Sequence, residues 1–236
     1  MSQTRVIPHG VPDLPLVDPG LHKPDFGLDG RSVILSFGLL GPGKGYELVI
    51  EAMSRVRRDR PDALYVVLGA THPNLVRTEG EAYRDRLRRA VNDLGLGEHV
   101  LFVDRFVGQE ELGRWLQAAD IFVTPYPNLD QIVSGTLSYA MAAGRPVVST
   151  PFAYASEVLS GGRGVLVAPH SAEALANALS DLLGDRARRL EIGRRAYAFS
   201  RGRIWREVGA AYGALFAQVA RGVEISYDAP ALAAHG

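Results

Sequence analysis

Two stretches of the chain hold the kinds of groups that bind anions. The first is Gly38-Leu39-Leu40-Gly41-Pro42-Gly43-Lys44-Gly45, followed directly by a helix-period segment. Glycines permit a tight turn, and free amides at a helix N-terminus attract negative charge. Lys44 adds a full positive charge at the same place. The second runs from Pro125 through Tyr126, Asn128, Asp130 and Gln131 to Ser134-Gly135-Thr136, again just before a helical segment. Ser134, Gly135 and Thr136 offer backbone amides and two hydroxyls to an anion. A lone serine there would read as a helix cap.

The first stretch admits several readings. Gly38, Gly43 and Lys44 match an ATP-binding P-loop, G-x4-G-K-[ST], with residues 100–104 as the companion strand ending in an acid. Gly45, however, occupies the place of the magnesium-holding hydroxyl. A dinucleotide fingerprint, G-x-G-x-x-G, lacks its glycine triplet, and the second strand ends in Gly-Ala-Thr-His rather than an acid. A sugar-nucleotide diphosphate site is the third reading, and a plain connecting turn the fourth.

The elements around these stretches narrow the choice. Apolar, β-branched runs at 32–37, 64–68, 100–103, 121–124, 146–149 and 164–167 read as strands buried on both faces. Between them apolar residues recur at helical spacing: Tyr46, Val49, Ile50, Met53 and Val56; Tyr83, Leu87, Ala90, Val91 and Leu94; Leu112, Trp115 and Leu116; Leu137, Ala140 and Met141. A helix near 171–183 follows the last strand with Ser171 as its N-cap, and 185–222 reads as helical with a break near 200–202. This alternation predicts an α/β fold, a Rossmann-like doubly wound parallel sheet of about six strands with helices on both faces. Residues 1–31, rich in Pro, Gly and Asp from residue 8, read as a lead-in or linker, 32–222 as the domain and 223–236 as a tail. In such sheets ligands bind outside the carboxyl ends of the strands. Both anion-binding stretches follow strands and therefore share that edge, which favours a phosphate ligand over two isolated caps.

Composition removes other classes. The chain has 236 residues, 26 basic and 26 acidic side chains, six histidines and no cysteine. Zero net charge argues against nucleic-acid binding through bulk charge. The absence of cysteine excludes a disulfide scaffold, thiolate metal sites and a cysteine nucleophile, and fits a cytoplasmic location. No apolar run of membrane-spanning length occurs, and the N-terminus lacks the apolar core of a signal peptide. Glycine is about 11% of the chain, 26 of 236, against a usual ~7%.

At the level of whole motifs, the sequence resembles the carboxy-terminal, donor-binding half of a GT-B glycosyltransferase of the family 4 (group 1) type. VIPHGV resembles that family's linker between its halves, FGLLGPGKGYELVIEAM its first strand, turn and helix, and AADIFVTPYPNLDQIVSGTLSYAMAAGRPVVSTPFAYASEVLSGGRGVLVAP its most characteristic stretch. The resemblance spans roughly residues 6–218. It implies a nucleotide-diphosphate-sugar donor, UDP- or GDP-linked, and transfer with retention. It also implies no obligatory metal or other cofactor, and the chain lacks the D-x-D pair of metal-dependent transferases. By the same resemblance, Lys44 and the turn at Gly38 and Gly43 meet the diphosphate, with Ser134, Gly135 and Thr136 on its other side. Asp104, Arg105 and Val107 would meet the base or ribose, and the segment carrying Glu157 matches another family motif.

The departures are specific. The family pattern places Glu, seven residues, Glu across the second stretch and its helix; here the positions are Gln131 and Tyr139. Gln131 can hydrogen-bond sugar hydroxyls but carries no charge. Asp130 stands next to it as a substitute. Leu39 occupies the place of an arginine. Lys44 and Gln131 are the residues expected to act in the reaction, and a non-catalytic nucleotide-sugar-binding or scaffold module is the alternative. The acceptor-binding half expected of such an enzyme is not found before Val6, so the reading expects that domain in the full-length protein or in trans.

The six histidines have no metal-ligand spacing and read as surface or satisfied groups, with His72 closest to the ligand edge. Residues 186–206 hold eight arginines and one acid. They read as a solvated helix face, or as a peripheral contact with anionic lipid. Trp115 and Trp205 read as core.

Overall fold

A computed structural model describes residues 5–221. Its core is one six-stranded sheet in the order β3-β2-β1-β4-β5-β6, every neighbouring pair parallel. The strands are β1 (Ser32–Phe37), β2 (Ala63–Leu68), β3 (Val100–Val103), β4 (Ile121–Thr124), β5 (Val147–Ser149) and β6 (Val165–Leu166). The helices are α1 (Tyr46–Asp59), α2 (Pro73–Glu79), α3 (Ala82–Asp93), α4 (Gln109–Ala118), α5 (Gly135–Ala142), α6 (Ala153–Val158), α7 (Ala172–Gly184), α8 (Arg186–Ser200) and α9 (Trp205–Ala220). The expected doubly wound α/β architecture is present. The order reverses between β1 and β4, which opens the ligand crevice of such sheets at their carboxyl ends.

The continuous apolar strands follow from burial on both faces. Along β1, Ile34 joins one core layer with Val49, Met53 and Leu179, while Val33 and Leu35 join the other with Trp115, Leu137 and Phe152. Successive side chains on a strand point to opposite faces, so a doubly covered strand needs an apolar residue at every position. Helix α1 buries Tyr46, Val49, Ile50, Met53 and Val56, the five residues at helical spacing.

Three features differ from the sequence reading. Helix α2 was not expected, although Pro73 at its first turn and the His72 ring, which accepts from the Asn74 amide at 3.2 Å, are ordinary start signals. The lead-in is irregular, as its composition predicts, but it is bound to the domain throughout. Val11 pairs with the chain beside Ile204, Gln117 donates to the Pro15 carbonyl, and Phe26 stacks on Trp115 at 3.7 Å. Lys23 donates to Asp120 at 2.7 Å, and the same carboxylate accepts the Val33 amide. Trp205 is not core: it is 50% exposed and lies against Gly10, where a Cβ would come within 2.6 Å of its ring. The reason is that α9 buries only Val208. The expected break after α8 is a single 3-10 turn, Arg201–Arg203. The tail, 223–236, lies outside the described residues, and no described helix is long and apolar enough to cross a membrane.

Candidate functional site

The turn after β1 and the loop after β4 flank the switch point and touch each other. After Phe37 the chain takes a positive φ at Gly38 (132°) and again at Gly45 (71°), with a 3-10 turn, Pro42–Lys44, between them. Gly45 is forced to be glycine twice over, since a Cβ there would lie 2.2 Å from the Pro125 carbonyl oxygen. Gly69, at the end of β2, presses on Gly38 in the same way, with a Cβ 2.1 Å from the Gly38 carbonyl oxygen. Gly38 thus contributes shape rather than an amide, because its N–H donates to the Leu68 carbonyl at 3.0 Å. Gly43 has open space around it.

Lys44 is half-buried and its Nζ sits 4.5 Å over the Tyr126 ring. That ring is fixed by stacking on Phe152 at 5.1 Å, and its backbone carbonyl accepts from the Thr150 hydroxyl. The Tyr126 hydroxyl pairs with Thr136 Oγ1 at 2.8 Å, and Thr136 Oγ1 lies 3.2 Å from Ser134 Oγ. Ser134 caps α5 by accepting from the Leu137 amide, and it also continues this hydroxyl chain. The Gly135 and Thr136 amides, in the first turn of α5, have no intrahelical acceptor. Lys44 and the α5 N-terminus are therefore joined through Tyr126, to which the sequence reading gave no role. Its signal was an aromatic between two prolines directly after a strand.

His9 was missed as well. Its Nε2 would lie 3.3 Å from a Cβ on Gly135, and its ring contacts Tyr139 edge-on at 6.2 Å and Trp205 at 5.9 Å. The exposed imidazole makes no hydrogen bond among the described residues and stands at the same helix end. Tyr139 packs between His9 and Phe37. Gln131 folds back, donating Nε2 to the Val133 carbonyl at 2.8 Å, and Asp130 is exposed with its own amide held by Asn128.

A small apolar cavity of about 160 Å³ opens beside Gly38 at the carboxyl ends of β1, β2 and β3. Val107 and Arg105 line it, and Phe106 stands at it 82% exposed. Arg105 is committed to Glu111 by two hydrogen bonds, 2.9 and 2.5 Å, which hold the Glu111 carboxyl below the usual carboxylate range. Asp104 is committed to Arg84 and Arg88. Buried Arg84 also donates to the Gly69 carbonyl and to Thr71, so these ions organise the loop ends around the cavity. A second hollow, about 290 Å³, lies between Lys44 and His72. Among the described residues no group of three or more His, Asp or Glu side chains is set to hold a metal.

The family model for glycosyl transferases group 1 matches residues 21–199. The chain belongs to the group 1 glycosyltransferases. It is 33% identical over 193 residues to the GDP-mannose-dependent alpha-(1-6)-phosphatidylinositol monomannoside mannosyltransferase of Mycolicibacterium smegmatis, covering 78% of this chain and 47% of that one. The group 1 chain thus spans about half the length of the curated relatives it matches. Its fold is shared with the C-terminal domain of the group 1 protein LpcC from Francisella tularensis, with a TM-score of 0.68, 23% identity and coverage of 79% of this chain and 93% of that one. It is shared also with Anabaena HepE in complex with UDP and glucose, with a TM-score of 0.73, 20% identity and coverage of 86% and 52%. The architecture is one Rossmann-like half of a GT-B glycosyltransferase.

Proposed function

We propose that this chain is the donor-binding half of a retaining glycosyltransferase and holds a nucleotide-diphosphate sugar between the turn after β1 and the N-terminus of α5. The observation that carries the reading is the Lys44–Tyr126–Thr136 connection across the switch point. As the bond from sugar to phosphate breaks, negative charge grows on the diphosphate, and a lysine with two free helix amides is suited to stabilise it. The small apolar cavity by Phe106 suits a nucleobase. Gln131 and Asp130, on the loop before α5, are the groups assigned to the sugar. The relative's GDP-mannose and the neighbour's UDP make both nucleotides candidates.

A thermal-shift panel of UDP, GDP, ADP and their sugars tests this. At least one should raise the melting temperature, since a ligand that binds only the folded state stabilises it. EDTA should leave that shift unchanged, in keeping with a site that needs no metal. If none of these ligands stabilises the fold, the reading fails.

His9 belongs to the same proposal as a hydrogen-bond donor beside Gly135. His9→Ala should weaken binding of the stabilising nucleoside diphosphate about threefold, the order expected for one solvent-accessible hydrogen bond. Calorimetry reads this directly.

Transfer needs an acceptor-binding half. The exposed apolar side chains of α9, Trp205, Tyr212, Phe216 and Val219, offer it a surface. The second reading, a binding module without catalysis, draws on Gln131 folded onto its own loop and Tyr139 packed between His9 and Phe37. Donor hydrolysis or sugar transfer by the chain joined to an acceptor half separates the two.

A further inference from the structure

A cavity of about 600 Å³ lies on the opposite edge of the sheet from Lys44. It opens at the amino ends of β4 and β5, where the chain passes through Asp120 and through Gly144-Arg145-Pro146. The lead-in from Leu16 to Lys23 forms one wall and the arginine-rich start of α8 the other. Five cations line it, Lys23, Arg145, Arg186, Arg189 and Arg194, against two acids, Asp18 and Asp120. This surplus of three positive charges stands in a chain whose net charge is zero.

The acids are occupied. Asp120 accepts from Lys23 and from the Val33 amide, both at 2.7 Å. Asp18 accepts from the Gly20 amide and from Arg186, which hold its carboxyl below the usual range. Arg145, Arg189 and Arg194 have no carboxylate within 4.0 Å among the described residues. The fold accounts for part of this. Arg145 donates to the carbonyls of Gln117, Ala119 and Ala143, and Arg189 to those of Leu182 and Leu183, so both satisfy helix C-termini. Burial without a close counter-charge pulls Arg145 down to about 10. Helix capping does not account for Arg186 and Arg194. Arg194 makes no hydrogen bond or ion pair among the described residues, and Arg186 has only its exposed contact with Asp18. Both project like charge onto a cavity that already holds two guanidinium groups.

We propose that this cavity binds a phosphate-bearing organic ligand, held by Arg186, Arg189 and Arg194. Guanidinium groups match phosphate oxygens in paired hydrogen bonds, and the volume lies within the usual range of small-molecule sites. The ligand is a soluble phosphate ester or a phospholipid headgroup, which share this chemistry. The site is independent of the donor reading and lies on the other edge of the sheet.

Calorimetry with inorganic pyrophosphate on the Lys44→Ala chain measures it with the donor end weakened, and dependence on Arg186 and Arg194 separates it from whatever the α5 amides still bind. Pyrophosphate should still bind, and adding Arg186→Ser with Arg194→Ser should weaken that binding roughly fivefold or more. Both side chains are exposed, so the melting temperature should not move, and Arg186→Lys with Arg194→Lys should retain most of the affinity. Sedimentation with phosphatidylcholine vesicles, with and without phosphatidylglycerol, is the second arm. Arginine-dependent binding of pyrophosphate without vesicle association assigns the site to a soluble phosphate ester. Arginine-dependent association with the phosphatidylglycerol vesicles assigns it to a headgroup. If neither probe binds in a way that depends on Arg186 and Arg194, the proposal is overturned.

Discussion

Gly45→Ser completes the P-loop pattern in sequence, and the expected result is a destabilised protein with no magnesium-dependent ATP turnover. Gly45 has φ 71°, a region that costs a residue with a Cβ roughly 1–2 kcal/mol. The new Cβ would also lie 2.2 Å from the Pro125 carbonyl oxygen and 3.1 Å from its carbon, both backbone atoms that cannot rotate away. Relief requires the turn after β1 and the loop after β4 to separate, and such overpacking typically costs a further 1–3 kcal/mol or so. The unfolding midpoint in urea should fall by an amount equivalent to about 3 kcal/mol or more. Because Pro125 precedes Tyr126, the shift also moves the ring beneath Lys44. A serine variant as stable as the parent, or one that hydrolyses ATP, would refute this account of the turn.

The same contact explains why sequence could reject the P-loop yet not say what Gly45 was for. A missing hydroxyl is visible in the string, whereas the carbonyl that forbids a side chain comes from Pro125, eighty residues away. Local rules located the strands and the apolar faces of α1, α3 and α5, because periodicity is a property of neighbouring residues. They also placed both anion-binding turns on one edge, since every strand in a parallel sheet ends on the same side. They did not reveal His9, which reaches Gly135 only because the lead-in is pinned at Val11 to the chain beside Ile204. For Asp104 the sequence offered a loop acid by the ligand edge. The structure ties that acid to Arg84 and Arg88, one helical turn apart on α3, a pairing no local pattern announces. Trp205 misled through residue type alone: its ring covers Gly10 and leaves its other half exposed.

Lys44→Ala should weaken binding of UDP or GDP, whichever stabilises the fold, at least tenfold by calorimetry. A hydrogen bond to a charged group contributes about 1.5–3 kcal/mol, and each 1.4 kcal/mol is a factor of ten in affinity. Lys44 is the one lysine or arginine in the 38–45 turn, so no neighbouring cation in that turn compensates. The alanine also removes the alkyl stem, and with it the contact on Tyr126, so the charge must be separated from the packing. Lys44→Met keeps a chain of similar length over the ring and loses only the ammonium. If charge on the diphosphate is what Lys44 serves, methionine and alanine weaken binding alike, and the loss shrinks as salt rises because exposed charges are screened. If Lys44 serves to hold Tyr126 and, through it, Thr136, methionine restores most of the affinity. An alanine variant that binds nucleoside diphosphate as tightly as the parent would remove Lys44 from the site and leave the α5 N-terminus as the sole anion holder.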